Sequence, residues 1–146
     1  MSITRAAMRH CLAQAWSPLA EMPLPDGRRA DIMAITARGD VVIIEAKSGP
    51  RDFLTDQKWP SYRAWCDRLY FAVDLDFPQA LLPEPVGLLV VDGREARLCR
   101  EAPTHALAPA RRRVLLMRFA MLAGRRLAAE QDPWGAEELR LALRAE

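Results

Sequence analysis

The sequence predicts an α/β domain in which a central mixed β-sheet is flanked by helices. Runs of β-branched and apolar residues alternate with amphipathic stretches in the order helix, three strands, helix, three strands, helix. Apolar residues make up 51% and charged residues 27% of the chain, the balance of an ordinary globular protein. The length of 146 residues predicts a single domain over residues 1–146 that buries a sizeable core without a disulfide or zinc staple.

Hydrophobic periodicity and turn residues locate the elements along the chain. Pro60 lies inside a helical stretch, which it must kink or split into two short helices. The run Val41–Lys47 is apolar on both faces through Ile44, which is typical of a central strand. A Gly-containing turn before it predicts a hairpin with the preceding strand. The expected helices are 3–16, 48–66 with Ser48 as N-cap, 108–130 and 134–145, with a turn or short helix at 78–82; the expected strands are 19–24, 30–36, 41–47, 68–73, 86–91 and 94–99.

Composition argues against several classes of protein. The cysteines Cys11, Cys66 and Cys99 are odd in number, far apart and without a CxxC pair, which favours reduced thiols over a disulfide framework. No apolar run approaches the roughly 20 residues that a membrane span needs, and the start of the chain lacks the apolar core of a secretory signal. We therefore expect a cytoplasmic protein with no membrane partner. The net charge of +2 is too small to indicate a nucleic-acid partner by itself.

Charged residues cluster at one end of the predicted hairpin. Asp31 opens the first strand, and Glu45 and Lys47 close the second. With the turn centred on Arg38-Gly39, Asp31 is expected to face Ala46, and a shift of one residue is expected to keep the group together. Glu45 and Lys47 differ by two positions, so they point to the same face of the sheet. Two carboxylates and one ammonium are thus predicted to cluster at one end of a hydrophobic sheet.

This cluster indicates metal-assisted phosphodiester hydrolysis. Paired carboxylates repel each other, and their hard oxygens suit Mg²⁺ or Mn²⁺, which can hold a phosphate oxygen and lower the pKa of a bound water. The chain has 19 arginines and only two lysines, Lys47 and Lys58, so each lysine is a candidate for a role that arginine cannot fill. The structural alternative is a Glu-x-Lys pair that merely ends a strand in solvent and forms a salt bridge.

Two further groups of residues have both a functional and a structural interpretation. Arginines at 111–113 and 125–126 can grip phosphates, although such runs more often form a solvated helix face. Trp59, Tyr62 and Trp65 lie close together in one helical stretch and can stack on unpaired bases. Packing onto the sheet is the expected role of the two tryptophans.

Asp31 followed by Glu45-Ala46-Lys47 after a hairpin resembles the signature of the PD-(D/E)xK nuclease superfamily, with Ala30 where a proline often precedes the first acid. A longer set of motifs is similar to the MmcB family of bacterial DNA repair proteins. The motifs are Arg28-Arg29-Ala30-Asp31-Ile32, Glu45-Ala46-Lys47-Ser48, Asp52-Phe53, Asp56-Gln57-Lys58-Trp59-Pro60 and Cys66-Asp67-Arg68-Leu69-Tyr70-Phe71-Ala72-Val73. The similarity covers the chain at least from Glu21 to Val91.

The resemblance implies a restriction-endonuclease-like core and a nuclease acting in the repair of DNA damage. It implies that Asp31 and Glu45 hold Mg²⁺ or Mn²⁺, together with the Ala46 carbonyl, and that Lys47 positions the attacking water. Lys58 and Tyr62 are similar to a Gln-xxx-Tyr element of some relatives, with Lys in place of Gln, and are expected on one face of a helix. Accessory acids are Glu21 and Asp56. Arg28, Arg29 and Arg51 lie in loops beside the proposed site and, with Tyr62, are the nucleic-acid-binding candidates.

The resulting hypothesis is a Mg²⁺-dependent deoxyribonuclease with DNA as its partner. The alternative is a catalytically inactive module of the same fold that binds DNA or a protein partner during repair. A homodimer is a candidate assembly, because many nucleases of this size dimerise to cut both strands, and other DNA repair proteins are candidate partners.

Overall fold

A six-stranded mixed sheet forms the centre of the computed structural model, which describes residues 2–56 and 58–145. The strands lie side by side in chain order: β1 (Ser17–Pro23), β2 (Arg29–Ile35), β3 (Val41–Lys47), β4 (Arg68–Asp74), β5 (Gly87–Asp92) and β6 (Glu95–Arg100). The β3–β4 and β4–β5 pairs are parallel, and the other pairs are antiparallel. This arrangement confirms the predicted mixed α/β fold and the central position of β3.

The chain divides into two compact units, Met1–Arg112 and Arg113–Glu146. The first contains the whole sheet, and the second contains most of α3 together with α4. All of the described candidate site residues belong to the first unit. The helices are α1 (Ile3–Ala13), α2 (Pro50–Thr55), α3 (Pro109–Gln131) and α4 (Pro133–Ala145), with 3₁₀ helices at Trp59–Trp65 and Gln79–Leu81. Within the described residues, no helix combines the length and the apolar content that crossing a membrane requires.

The two faces of the sheet carry different cores. On one face, Ala7 and Cys11 of α1 pack in a cluster with buried side chains of β2 to β5, which include Ile32, Ile44 and Tyr70. On the other face, the rings of Phe53 and Trp59 meet Phe71 of β4 edge to face, at centroid distances of 5.5 and 5.4 Å. Strand alternation assigns the odd-numbered residues of β3 to this second face. The second face is therefore the one on which Glu45 and Lys47 lie.

The helical stretch after β3 is split into two short helices, one of the two outcomes predicted from Pro60, but it differs from the prediction in helix type and in its N-cap. Pro60 splits the stretch, and the second piece is a 3₁₀ helix rather than an α-helix. Gly49 occupies the N-cap position of α2, so the assignment of Ser48 as the cap was wrong. Instead, the backbone N–H of Ser48 donates a 3.1 Å hydrogen bond to Asp52 Oδ2. Pro50 at the first position of α2 moves the helix start one residue onward because its ring already has a helical φ.

Candidate functional site

The β2–β3 register decides whether the charged residues meet. Ile32 pairs with Ile44 and Met33 with Ile43, so the ladder is shifted by one residue from the prediction, and the expectation that Asp31 faces Ala46 was wrong. Directly paired residues share a face of a sheet. The observed register therefore places Asp31 opposite Glu45 on the face that also carries Lys47. In the predicted register, Asp31 would lie on the opposite face from Glu45 and Lys47. The charged cluster therefore depends on the register, and the expectation that a shift of one residue keeps the group together was wrong.

Asp31 and Glu45, referred to below as the carboxylate pair, are joined by two backbone hydrogen bonds. The N–H of Asp31 donates to Glu45 Oε1, and the N–H of Ala46 donates to Asp31 Oδ2, each at 2.9 Å. Glu45 is only 4% exposed. Its burial, and next the neighbouring charge of Asp31, raise the pKa of Glu45 to about 8. The carboxylate pair consequently holds a proton near neutral pH unless a cation replaces it.

Lys47 is buried in the same site, with 5% of its surface exposed. Its Nζ lies 2.5 Å from Asp56 Oδ2, just beyond the end of α2. The second oxygen of Asp56 accepts a 2.9 Å hydrogen bond from the backbone N–H of Lys58. Burial works to raise the pKa of Asp56, but these hydrogen bonds outweigh it and hold the pKa below its usual range. The accessory acid expected from the sequence thus lies in the site, where it binds the lysine.

The expected pairing of Lys58 with Tyr62 on one helix face was wrong. Lys58 is the N-cap of the 3₁₀ helix that contains Tyr62, and in such a helix residues three apart share a face and residues four apart do not. The Lys58 side chain is exposed. Tyr62 is buried, and its hydroxyl donates a 3.2 Å hydrogen bond to the carbonyl of Arg29. Burial, and then the charges of Glu45, Asp31 and Asp56, raise the pKa of Tyr62 to about 12, so the phenol stays protonated beside the site.

The remaining candidates surround this centre. Glu21 lies on β1 across from Asp31, between the Ala20–Ile32 and Met22–Ala30 pairs, with an exposed side chain and a left-handed backbone at φ 53°. Arg28 is about one-third exposed and forms a 2.9 Å ion pair with Asp26. Arg29 and Arg51 are exposed. Glu21 is therefore opposite Asp31 on the neighbouring strand with its side chain exposed, and the arginines lie at the rim.

A second buried acid, Asp67, was missed by the sequence analysis. It accepts hydrogen bonds from both terminal nitrogens of Arg112 at 2.7 Å and from the N–H groups of Val41 and Leu107. Burial works to raise the pKa of Asp67, but these donors outweigh it and hold the pKa below its usual range. Arg112 is one of the five arginines at 111–113 and 125–126 that were considered for phosphate binding; the structure gives it a structural partner instead. No local signal links positions 45 residues apart, so only the fold could pair them.

The donor set fits a hard divalent cation. The carboxylate pair offers adjacent oxygens, and Mg²⁺ commonly uses one or two carboxylates while it keeps several waters. Within residues 2–56 and 58–145, no group of three or more His, Cys, Asp or Glu side chains is placed to hold a metal ion. The protein ligands would therefore be Asp31, Glu45 and the backbone carbonyl of Ala46. The raised pKa of Glu45 fits the same role, because a cation bound there would displace the shared proton.

Comparison of the sequence with models of known protein families identifies the family of this chain. The model of the DNA repair protein MmcB-like family matches residues 1–134. The chain belongs to the MmcB-like family. This match confirms the resemblance to the MmcB family, and it assigns the MmcB-like chain a role in DNA repair.

A solved structure is also similar to the MmcB-like chain. It is described as the SPO1766 protein of unknown function from Silicibacter pomeroyi. The two chains are 44% identical, the alignment covers 91% of each, and the TM-score is 0.87. This likeness supports the mixed α/β fold but carries no activity with it. No curated protein matches the MmcB-like chain.

Proposed function

We propose that this chain is a metal-dependent DNA nuclease that acts in repair, with a restriction-endonuclease-like core of the PD-(D/E)xK type. The observation that carries the proposal is the convergence of Asp31, Glu45 and Lys47 on one face at the end of adjacent strands. Burying Glu45 and Lys47 beside the half-buried Asp31 is costly without compensation. Their arrangement matches the requirements of phosphodiester hydrolysis.

Each residue has a distinct task in this proposal. Asp31 and Glu45 hold Mg²⁺ or Mn²⁺ together with the Ala46 carbonyl. When bound, such a cation neutralises charge on a phosphate oxygen and lowers the pKa of water. The Lys47 ammonium is a compact donor at the buried end of β3, suited to orienting the attacking water. Asp56 holds that ammonium in place through the 2.5 Å ion pair. Tyr62 stays neutral and supports the strand beside the carboxylate pair through the Arg29 carbonyl.

Two observations favour the rival candidate, a module of the same fold that binds DNA or a protein without turnover. Lys47 is already paired with Asp56, and within the described residues no third acidic or imidazole side chain is placed to complete a metal site with the carboxylate pair. A protein that had lost hydrolysis but kept its fold would tolerate both features. The simplest structural alternative, an ion pair between Lys47 and the hairpin acids, is not favoured, because the partner of Lys47 is Asp56.

A cleavage assay separates the candidates. Supercoiled plasmid and labelled oligonucleotides are incubated with the protein in Mg²⁺, in Mn²⁺ and in EDTA. The wild type is expected to cut only with metal, and Asp31→Ala and Lys47→Ala are expected to abolish cutting. Asp92→Asn is the matched control, because Asp92 is an exposed aspartate that ends β5 two strands away. DNA binding without cleavage of any substrate, under every metal condition, would establish the rival instead.

A further inference from the structure

A cationic surface lies beside the carboxylate pair, where the β1–β2 turn meets the 3₁₀ helix and the start of α3. It consists of Arg28, Arg29, Trp65 and Arg111 and is called the arginine–tryptophan surface below. The guanidinium carbon of Arg111 lies 4.8 Å from the centre of the Trp65 ring. The indole N–H of Trp65 donates to Asp26 Oδ2 at 3.2 Å, and Arg28 Nη1 donates to the same oxygen at 2.9 Å. Asp26 thus links Arg28 to Trp65, and the stack on Trp65 adds Arg111 to the same surface.

This surface keeps unused hydrogen-bond donors. Arg111 is exposed, and its guanidinium is oriented by the stack on Trp65 and by a 3.0 Å hydrogen bond from Nη1 to the Ala64 carbonyl. The Arg28 side chain is about one-third exposed, so part of it is open to solvent, although its Nε is buried without a hydrogen-bond partner within the part of the chain that the structure describes. Asp26 offsets only one of the three positive charges. A guanidinium with a fixed orientation and free N–H groups is well suited to bidentate binding of a phosphate.

The surface is continuous with the candidate site. Arg29 and Asp31 are two residues apart on β2, so both point to the same face about 7 Å from each other. The Tyr62 hydroxyl binds the Arg29 carbonyl and connects this part of β2 to the 3₁₀ helix that carries Trp65. A polyanion that reached the carboxylate pair would therefore pass over Arg29 and Arg28 towards Arg111.

We propose that the arginine–tryptophan surface binds the sugar–phosphate backbone of DNA adjacent to the site of cleavage. The inference rests on the proposed function in taking DNA as the substrate. Trp65 does not stack on a base here, because Arg111 covers its ring; it orients the guanidinium towards the phosphate. The contacts are made to the backbone, so they position the strand without reading its sequence.

The test is DNA binding without hydrolysis. Fluorescence anisotropy of a labelled duplex is measured in EDTA over a series of salt concentrations for wild type, Arg111→Gln and Arg28→Gln. Each phosphate contact contributes about 0.9 to the slope of log affinity against log salt. Each variant is expected to lose about one such unit and to bind several-fold more weakly at low salt. Arg111→Lys is expected to retain the slope, since it keeps the charge while losing the stack on Trp65.

Arg97→Gln is the control, because Arg97 is an exposed arginine on β6, the far edge strand of the sheet. An unchanged slope in both Gln variants, or an equal loss in the control, would overturn the inference. A melting temperature measured for each variant separates lost contacts from misfolding, and Arg28→Gln remains informative if Arg111→Gln does not fold. If wild type cuts DNA but the slopes do not change, only this inference fails. If wild type does not bind DNA at all, both proposals fail.

Discussion

Glu45 makes the stability of the folded protein depend on pH in a direction opposite to that of most acids. Burial and the charge of Asp31 raise its pKa from 4.5 to about 8. Between these values the folded state binds more protons at this site than the unfolded state does. The free energy of unfolding therefore falls as the pH rises from 4.5 to about 8. The contribution is complete below the unfolded pKa and is lost above the folded one.

The magnitude follows from the size of the shift. At about 1.36 kcal/mol per pKa unit, ionisation of Glu45 costs the folded state about 1 kcal/mol at pH 5 and about 5 kcal/mol at pH 9. Glu45→Gln removes this cost, because an amide mimics the protonated acid: its oxygen can accept the N–H of Asp31 and its nitrogen can donate to the Asp31 carboxylate. In EDTA, we expect the variant to be more stable than wild type, by a margin that widens by about 4 kcal/mol from pH 5 to pH 9.

Urea denaturation at both pH values, followed by tryptophan fluorescence, measures this margin. Glu95→Gln serves as the control, since Glu95 is an exposed acid on β6 whose replacement should leave the pH dependence of wild type intact. A margin that is the same at pH 5 and pH 9 would refute the reasoning, as would a Glu45→Gln protein that is less stable than wild type at pH 9. Either result would mean that the carboxylate pair does not share a proton in the folded state.

Three further predictions test the site and the fold. Mn²⁺ should raise the melting temperature of wild type more at pH 8 than at pH 6, because the cation competes with the proton on the carboxylate pair. Asp31→Asn should lose this rise, and an equal rise in that variant would contradict the assigned ligands. Asp67→Ala should destabilise the protein by about 3–5 kcal/mol in urea denaturation, because it leaves the partly buried guanidinium of Arg112 without its carboxylate. The loss should be smaller when Arg112→Leu is also present, because that change removes the cation. Gly87→Ala should cost about 1–3 kcal/mol, since a Cβ at this position would clash with the Tyr70 ring; an unchanged melting temperature would show that the ring can move aside.

Local patterns in the sequence were sufficient to locate the helices and strands and to identify the candidate acids of the site. The apolar run of Val41–Lys47 predicted a central strand, because only burial on both faces permits apolar side chains at successive positions. Pro60 predicted the break between α2 and the 3₁₀ helix, because proline lacks the N–H that a continuous helix needs. The charged residues at the ends of β2 and β3 could be recognised from the sequence because each interrupts an apolar run.

Tertiary structure alone decided how these residues meet. The turn between β2 and β3 is closed by hydrogen bonds from Gly39 N–H to the Thr36 carbonyl and from Thr36 N–H to the Asp40 carbonyl, with Gly39 at φ 84°. That geometry sets the register, and one residue of register decides the face on which Asp31 lies. The pairs Lys47–Asp56 and Asp67–Arg112 depend on contacts between separate elements, which no local period encodes. The sequence thus determined which side chains are available for chemistry, whereas the packing of strands and helices determined which of them share a proton, an ion pair or a face of the sheet.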